Sequence, residues 1–170
     1  MITAIQPLDK HDRAAFSCGV TSLDDWFRVR ASQDERRNVA RVFVAIDDRF
    51  GVVGFYSLGS FALSIPDLPE AYAKRLPRYD LIPAALIGRL ARDQRVRGEG
   101  VGDLLLADAV RRILGAARTL AVFAIVVDAL DERAAAFYRD FGFLPFPSRP
   151  LRLFISVSDA LEALARAGVT

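Results

Sequence analysis

The chain is poor in the residues from which most catalytic centres are assembled. Its 170 residues include one cysteine, Cys18, and one histidine, His11. A lone cysteine forms no internal disulfide, and a reducing cytoplasm is the compartment expected for such a chain. With only His11 to activate it, Cys18 reads as a small buried hydrophobe rather than a nucleophile. His11 lies in a polar run and reads as a solvated loop residue, and no metal site is expected. No apolar run approaches the length that spans a bilayer, and the N-terminus lacks the basic segment and apolar core of a signal peptide. No membrane association is therefore expected. Lysine is scarce too: of 23 basic residues only Lys10 and Lys74 are not arginine. Arginine forks phosphates and stacks on bases, so such a surface suits an RNA partner, although a GC-rich genome produces the same composition. The net charge of +2 is too mild to decide between the two.

What is present is enough apolar sequence for one globular domain over residues 1–170, with 52% hydrophobic content. Residues 1–8 read as a first strand. A helix follows, opened by a capping Ser22, with Leu23, Trp26, Phe27 and Arg30 on one face, and it runs into Arg36-Arg37. Residues 39–46 and 52–61 form a hairpin about a turn at 47–51. Pro66, Pro69, Pro77 and Pro83 then mark a loop with a short helix near 70–76. A strand at 84–91, a helix from Val101, a strand at 120–127, a helix from Glu132 and a strand near 151–155 complete the core elements. A last helix over 158–167 is stopped by Gly168. There is no internal repeat or linker.

The most informative stretch is Arg97-Gly98-Glu99-Gly100-Val101-Gly102, between the 84–91 strand and the helix that follows. Alternate glycines let the backbone turn sharply. They leave main-chain N–H groups unpaired at the first turn of the helix, where the helix dipole also favours an anion. Phosphate or pyrophosphate fits best, and an unliganded glycine-rich connection is the alternative. A Walker loop is excluded because Asp103, not Lys, follows Gly102, and the dinucleotide fingerprint needs its third glycine where Asp103 stands.

Arg97-x-x-Gly100-x-Gly102 resembles motif A of the GNAT N-acetyltransferases. Ala134, Phe137, Tyr138, Gly142 and Phe143 resemble motif B of the same superfamily, with Asp131 where Asn is usual. The resemblance implies an α/β (α+β) GNAT fold: a mixed, mostly antiparallel central sheet, flanked by helices and splayed at the motif A strand. It implies acetyl-CoA as cosubstrate, held by Leu90, Ala91, Arg92, Arg97, Gly98, Glu99, Gly100, Val101, Gly102, Asp131 and Phe137. Arg92 stands where a small apolar residue is usual. Phe16-x-Cys18-Gly19-x-x-x-Leu23-Asp24-x-Trp26 and Gly88-Arg89-Leu90-Ala91-x-Asp93-Gln94-x-x-Arg97 resemble the acetyltransferase toxins of toxin–antitoxin pairs, the TacT-like branch. That resemblance covers nearly the whole chain. It implies acetylation of the α-amino group of aminoacyl-tRNA, which blocks translation. It also implies a ribbon-helix-helix antitoxin, contact with operator DNA only through that antitoxin, and a homodimer.

The chemistry is consistent with such an acceptor. An α-amino group titrates near ~8 and a lysine near ~10.4, so the former is far more often neutral at neutral pH. No histidine or acid lies in the 84–91 strand to act as a base for a lysine. Tyr138 is the candidate acid for the departing thiolate, the alternative being a core aromatic with a satisfied hydroxyl. A backbone N–H in the 90–92 stretch would polarise the acyl carbonyl. Arg36, Arg37, Arg89 and Arg95 are the candidate tRNA contacts. An acetyltransferase of a small amine or protein N-terminus, and a non-catalytic CoA- or antitoxin-binding module, remain the alternatives.

Overall fold

The structure is a computed structural model and describes residues 1–168. Seven strands form one sheet in the order β1-β2-β3-β4-β5-β7-β6: β1 (Ile2–Pro7), β2 (Arg41–Asp47), β3 (Gly51–Ser64), β4 (Leu81–Arg92), β5 (Ala124–Asp128), β6 (Leu144–Phe146) and β7 (Arg149–Ser156). The helices are α1 (Thr21–Asp25), α2 (Ala31–Arg36), α3 (Glu70–Ala73), α4 (Val101–Ala116), α5 (Glu132–Phe141) and α6 (Val157–Arg166). The chain divides into two compact units. One holds residues 1–59 and 88–109, the other residues 60–87 and the chain from Val110 onward.

In the first unit β1 pairs antiparallel with β2, and β2 with β3, through the expected hairpin. The β-branched and aromatic side chains of β2 and β3 build a core on Phe16, Trp26, Phe27, Val42, Val44 and Phe55. Phe27 stacks on Phe55 with ring centroids 4.1 Å apart. The helix bearing these aromatics is not uniform: a π-helical turn, Trp26–Arg30, separates α1 from α2. Ser22 does not cap it. Thr21 is already helical, and the buried Asp24 instead accepts from the Cys18 N–H at 2.9 Å.

In the second unit Ala84, Ala85, Leu86 and Ile87 of β4 pair in parallel with Ala124, Ile125, Val126 and Val127 of β5. Those four β5 residues are fully buried, as a parallel strand covered on both faces requires. The parallel pairs run from Ala84 to Ile87, and β4 itself continues to Arg92. β5 starts at Ala124, later than the expected 120, because Leu120 is solvent-exposed and sits in the preceding turn. β6 is an addition to the expected elements, pairing antiparallel with β7 despite Pro145. Ser156 caps α6 by accepting the Asp159 N–H at 3.1 Å.

Candidate functional site

In the first unit, the chain leaves β4 at Arg92, makes a 3-10 turn (Gln94–Val96), and enters α4 through residues 97–100. Gly98 and Gly100 have φ of +78° and +79°, the left-handed region that only glycine occupies without strain. The outcome is the donor cluster that the glycine spacing implies. Among the described residues, the N–H groups of Gly98, Gly100, Val101, Gly102 and Asp103 have no hydrogen-bond acceptor. The first turn of α4 therefore presents free amides along the positive end of its dipole.

Other groups hold this segment still. Asp93, almost fully buried, accepts from the Ser17 N–H at 3.1 Å and the Arg95 N–H at 2.8 Å, and takes the Arg95 guanidinium in a two-pronged bond at 3.0 and 2.9 Å. Burial raises the Asp93 pKa, but these donors outweigh it and the carboxyl sits below its ordinary value. Gly54 of β3 lets α4 pack closely. A Cβ there would lie 2.9 Å from Leu105 Cδ1 and 3.4 Å from both the Ala91 carbonyl and Val101 Cγ1. Neither residue figured among the expected site residues. The repeated Asp-x-Arg spacing at 47–49 and 93–95 was the signal available for Asp93.

The remaining expected residues of this unit take separate positions. Leu90 and Arg92 are half-buried at the end of β4, with Ala91 buried between them, and Arg97 and Glu99 are exposed. Arg36 and Arg37 are exposed and make no ion pair among the described residues. Arg89 lies over the Trp26 ring, 4.1 Å from its centroid, and burial lowers its pKa. Arg95 is occupied by Asp93 and by the Phe50 ring, 4.8 Å away.

In the second unit, Asp131 is the N-cap of α5, accepting the Ala134 N–H at 2.9 Å. Its side chain thus has a structural task, one that the amide usual in motif B performs equally well. Two turns on, Tyr138 packs its ring edge-on against Phe137 (5.2 Å) and Phe143 (5.7 Å) and is 6% exposed. A core tyrosine finds a partner for its hydroxyl. Among the described residues the Tyr138 hydroxyl has none, yet it is not one of the fully enclosed polar atoms. Burial pushes its pKa above the ordinary tyrosine value, so the phenol is protonated at neutral pH.

Burial pushes the Cys18 thiol up to about 11, which leaves it un-ionised at neutral pH. His11 Nδ1 accepts the Asp9 N–H at 3.0 Å in a local loop. Among the described residues no group of three His, Cys, Asp or Glu could hold a metal, and no helix is long and apolar enough to cross a membrane.

The fold is that of the GNAT class of acetyl-CoA-dependent N-acetyltransferases. No family model matches the chain. It is 41% identical over 164 residues to the probable toxin TacT of Sinorhizobium fredii, covering 91% of each chain. It is 40% identical over 152 residues to the tRNA-acetylating toxin of Mycobacterium tuberculosis, covering 89% of this chain and 90% of that one. Its structure also matches AtaT, as solved in complex with acetyl-methionyl-tRNAfMet, with a TM-score of 0.86 and 27% identity over 95% of this chain and 98% of the other. A solved structure of AtaTR bound with acetyl-CoA matches with a TM-score of 0.81 and 25% identity over 94% and 96%. The chain belongs to the TacT family of toxin acetyltransferases.

Proposed function

We propose that this chain, acting as a single domain over residues 1–170, is a toxin that transfers the acetyl group of acetyl-CoA to the α-amino group of aminoacyl-tRNA. The blocked amino acid then stops translation. The free amides of Gly98, Gly100, Val101, Gly102 and Asp103 bind the cofactor diphosphate. A backbone N–H among Leu90, Ala91 and Arg92 polarises the acyl carbonyl, a role indifferent to the side chain at 92. The neutral amine attacks the carbonyl carbon, the resulting tetrahedral intermediate expels the thiolate, and Tyr138 supplies the proton that the thiolate takes. The amine's surplus proton passes to water. Phe137 packs beside the pantetheine arm. Arg97 answers a CoA phosphate, while Arg36 and Arg37, and separately Arg89 and Arg95 beside the glycine-rich loop in sequence, face the tRNA backbone. A ribbon-helix-helix antitoxin neutralises the toxin and carries the only contact with operator DNA. The active form is a homodimer in the cytoplasm.

The observation that carries this reading is the unbonded hydroxyl of Tyr138 in a buried aromatic cluster, in a chain 40% identical to a tRNA-acetylating toxin over most of its length. Incubation with labelled acetyl-CoA and total charged tRNA tests it. RNase-sensitive label is expected. Label confined to small amines or protein N-termini would replace the acceptor, and CoA binding without turnover would make the chain a non-catalytic module.

A further inference from the structure

The loop assigned to the diphosphate carries a negative charge of its own. Glu99 stands between Gly98 and Gly100, among the free amides, and an unneutralised carboxylate there would oppose an anionic ligand. Its partner comes from the β2–β3 hairpin: Arg49 Nη2 lies 2.6 Å from Glu99 Oε1. Arg49 is itself aimed by Asp47, whose side chain is 1% exposed. Asp47 accepts the Arg49 main-chain N–H at 2.7 Å, Nε at 3.0 Å and Nη2 at 2.9 Å. Phe50, the next residue, receives Arg49 over its ring at 4.9 Å and Arg95 at 4.8 Å. Arg95 is held by Asp93 through the same pattern of bonds, two residues apart. The hairpin tip thus grips the cofactor segment at Arg95 through an aromatic ring and at Glu99 through an ion pair. The Arg49 guanidinium is stabilised in its charged form, first by Asp47 and then by Glu99.

We propose that Arg49 is a positioning residue for the acetyl-CoA loop, neutralising Glu99 and anchoring it to the hairpin so that the free amides of Gly98, Gly100, Val101, Gly102 and Asp103 meet the diphosphate without a competing charge. The proposal rests on the reading of that loop as the diphosphate site. It makes Arg49 work through Glu99, and this separates it from an arginine that touches a phosphate directly.

A double-mutant cycle on the full chain, read by calorimetric acetyl-CoA affinity and by kcat at saturating acetyl-CoA, tests it. Arg49→Ala should weaken acetyl-CoA about fivefold, the range of a well-held surface ion pair, with kcat unchanged. The loss should shrink as salt is raised. Arg49→Lys should recover part of it. Glu99→Gln should tighten binding about twofold, and in that background Arg49→Ala should have little further effect. Gly100→Ala, strained at φ +79° with open space around the added Cβ, reports on the loop itself. If Gly100→Ala leaves affinity intact, the loop reading fails. If Gly100→Ala weakens binding while Arg49→Ala costs nothing, or costs the same with and without Glu99, the loop reading stands and Arg49 is not its positioning residue. Thermal melts of each variant confirm that the folded protein is being compared.

Discussion

In the proposed function the loop that opens α4 and the helix α5 work through different parts of the residue. In the loop, the groups offered to a ligand are main-chain amides, freed because Gly98 and Gly100 adopt φ values that other residues avoid. Side chains there are incidental to the donor set, which is how Glu99 is tolerated once Arg49 pairs with it. In α5 the backbone is ordinary helix, capped by Asp131, and the proposed chemistry depends on one hydroxyl at Tyr138. The lesson concerns how each region fails. A loop built from backbone conformation loses binding when a φ is denied to it. A helix built around a phenol loses turnover when an oxygen is removed, and keeps its shape.

The largest expected effect is on the helix. Tyr138→Phe keeps the ring packing against Phe137 and Phe143 and removes only the acid, so kcat should fall by about a hundredfold or more while acetyl-CoA affinity is unchanged. Equal losses in kcat and affinity would erase the distinction between the two regions. Next is Gly100→Ala in the loop, which should weaken acetyl-CoA roughly tenfold, the cost of holding a Cβ in the left-handed region, with kcat retained at saturation. A variant that instead lost kcat at saturating cofactor would move the loop's role from binding to chemistry. Reversing charge at Arg36 and Arg37 together should raise KM for aminoacyl-tRNA severalfold and lessen its salt dependence, leaving acetyl-CoA affinity alone. A parallel loss of both substrates would show that the face serves folding or the cofactor.

The smallest effect sharpens the assignment of Tyr138 as acid. Its phenol is pushed above the ordinary value by burial, so the protonated form persists past pH 10. The pH profile of kcat/KM should rise through about 8 as the acceptor amine deprotonates, and show no descending limb from the phenol below about 10. A descending limb near 8 to 9 would mean another acid. The same shift has a sign for stability. Folding favours the neutral phenol, so its contribution is complete below about 10 and is lost as pH rises above that.

Much of this was legible in the residues because the relevant signals are local. Glycine spacing ahead of an amphipathic run announces free amides at a helix start, and Ala124–Asp128 announces a buried strand by lacking polar residues at all but its end. The unread parts depend on tertiary partners. Ser22 has the right identity for a cap, yet the buried Asp24 draws the Cys18 N–H and the helix begins at Thr21. The π turn at Trp26–Arg30 seats aromatics against Phe55, a residue distant in sequence. β6 contains Pro145, which argues against a strand until β7 supplies the ladder. Asp93 and Arg49 look like surface charges in sequence, and only the fold pairs them with Ser17 and Glu99. Tyr138 was identifiable by its motif, but the absence of a hydroxyl partner is a fact of packing alone.

The central claim is that unpaired main-chain amides, not side chains, hold the cofactor diphosphate, and an amide NMR titration of the 18.7 kDa chain with CoA addresses it directly. The largest shifts should fall on the N–H resonances of Gly98, Gly100, Val101, Gly102 and Asp103, moving downfield as each gains an acceptor. Saturable CoA binding that leaves those resonances in place and perturbs another part of the chain would contradict the account.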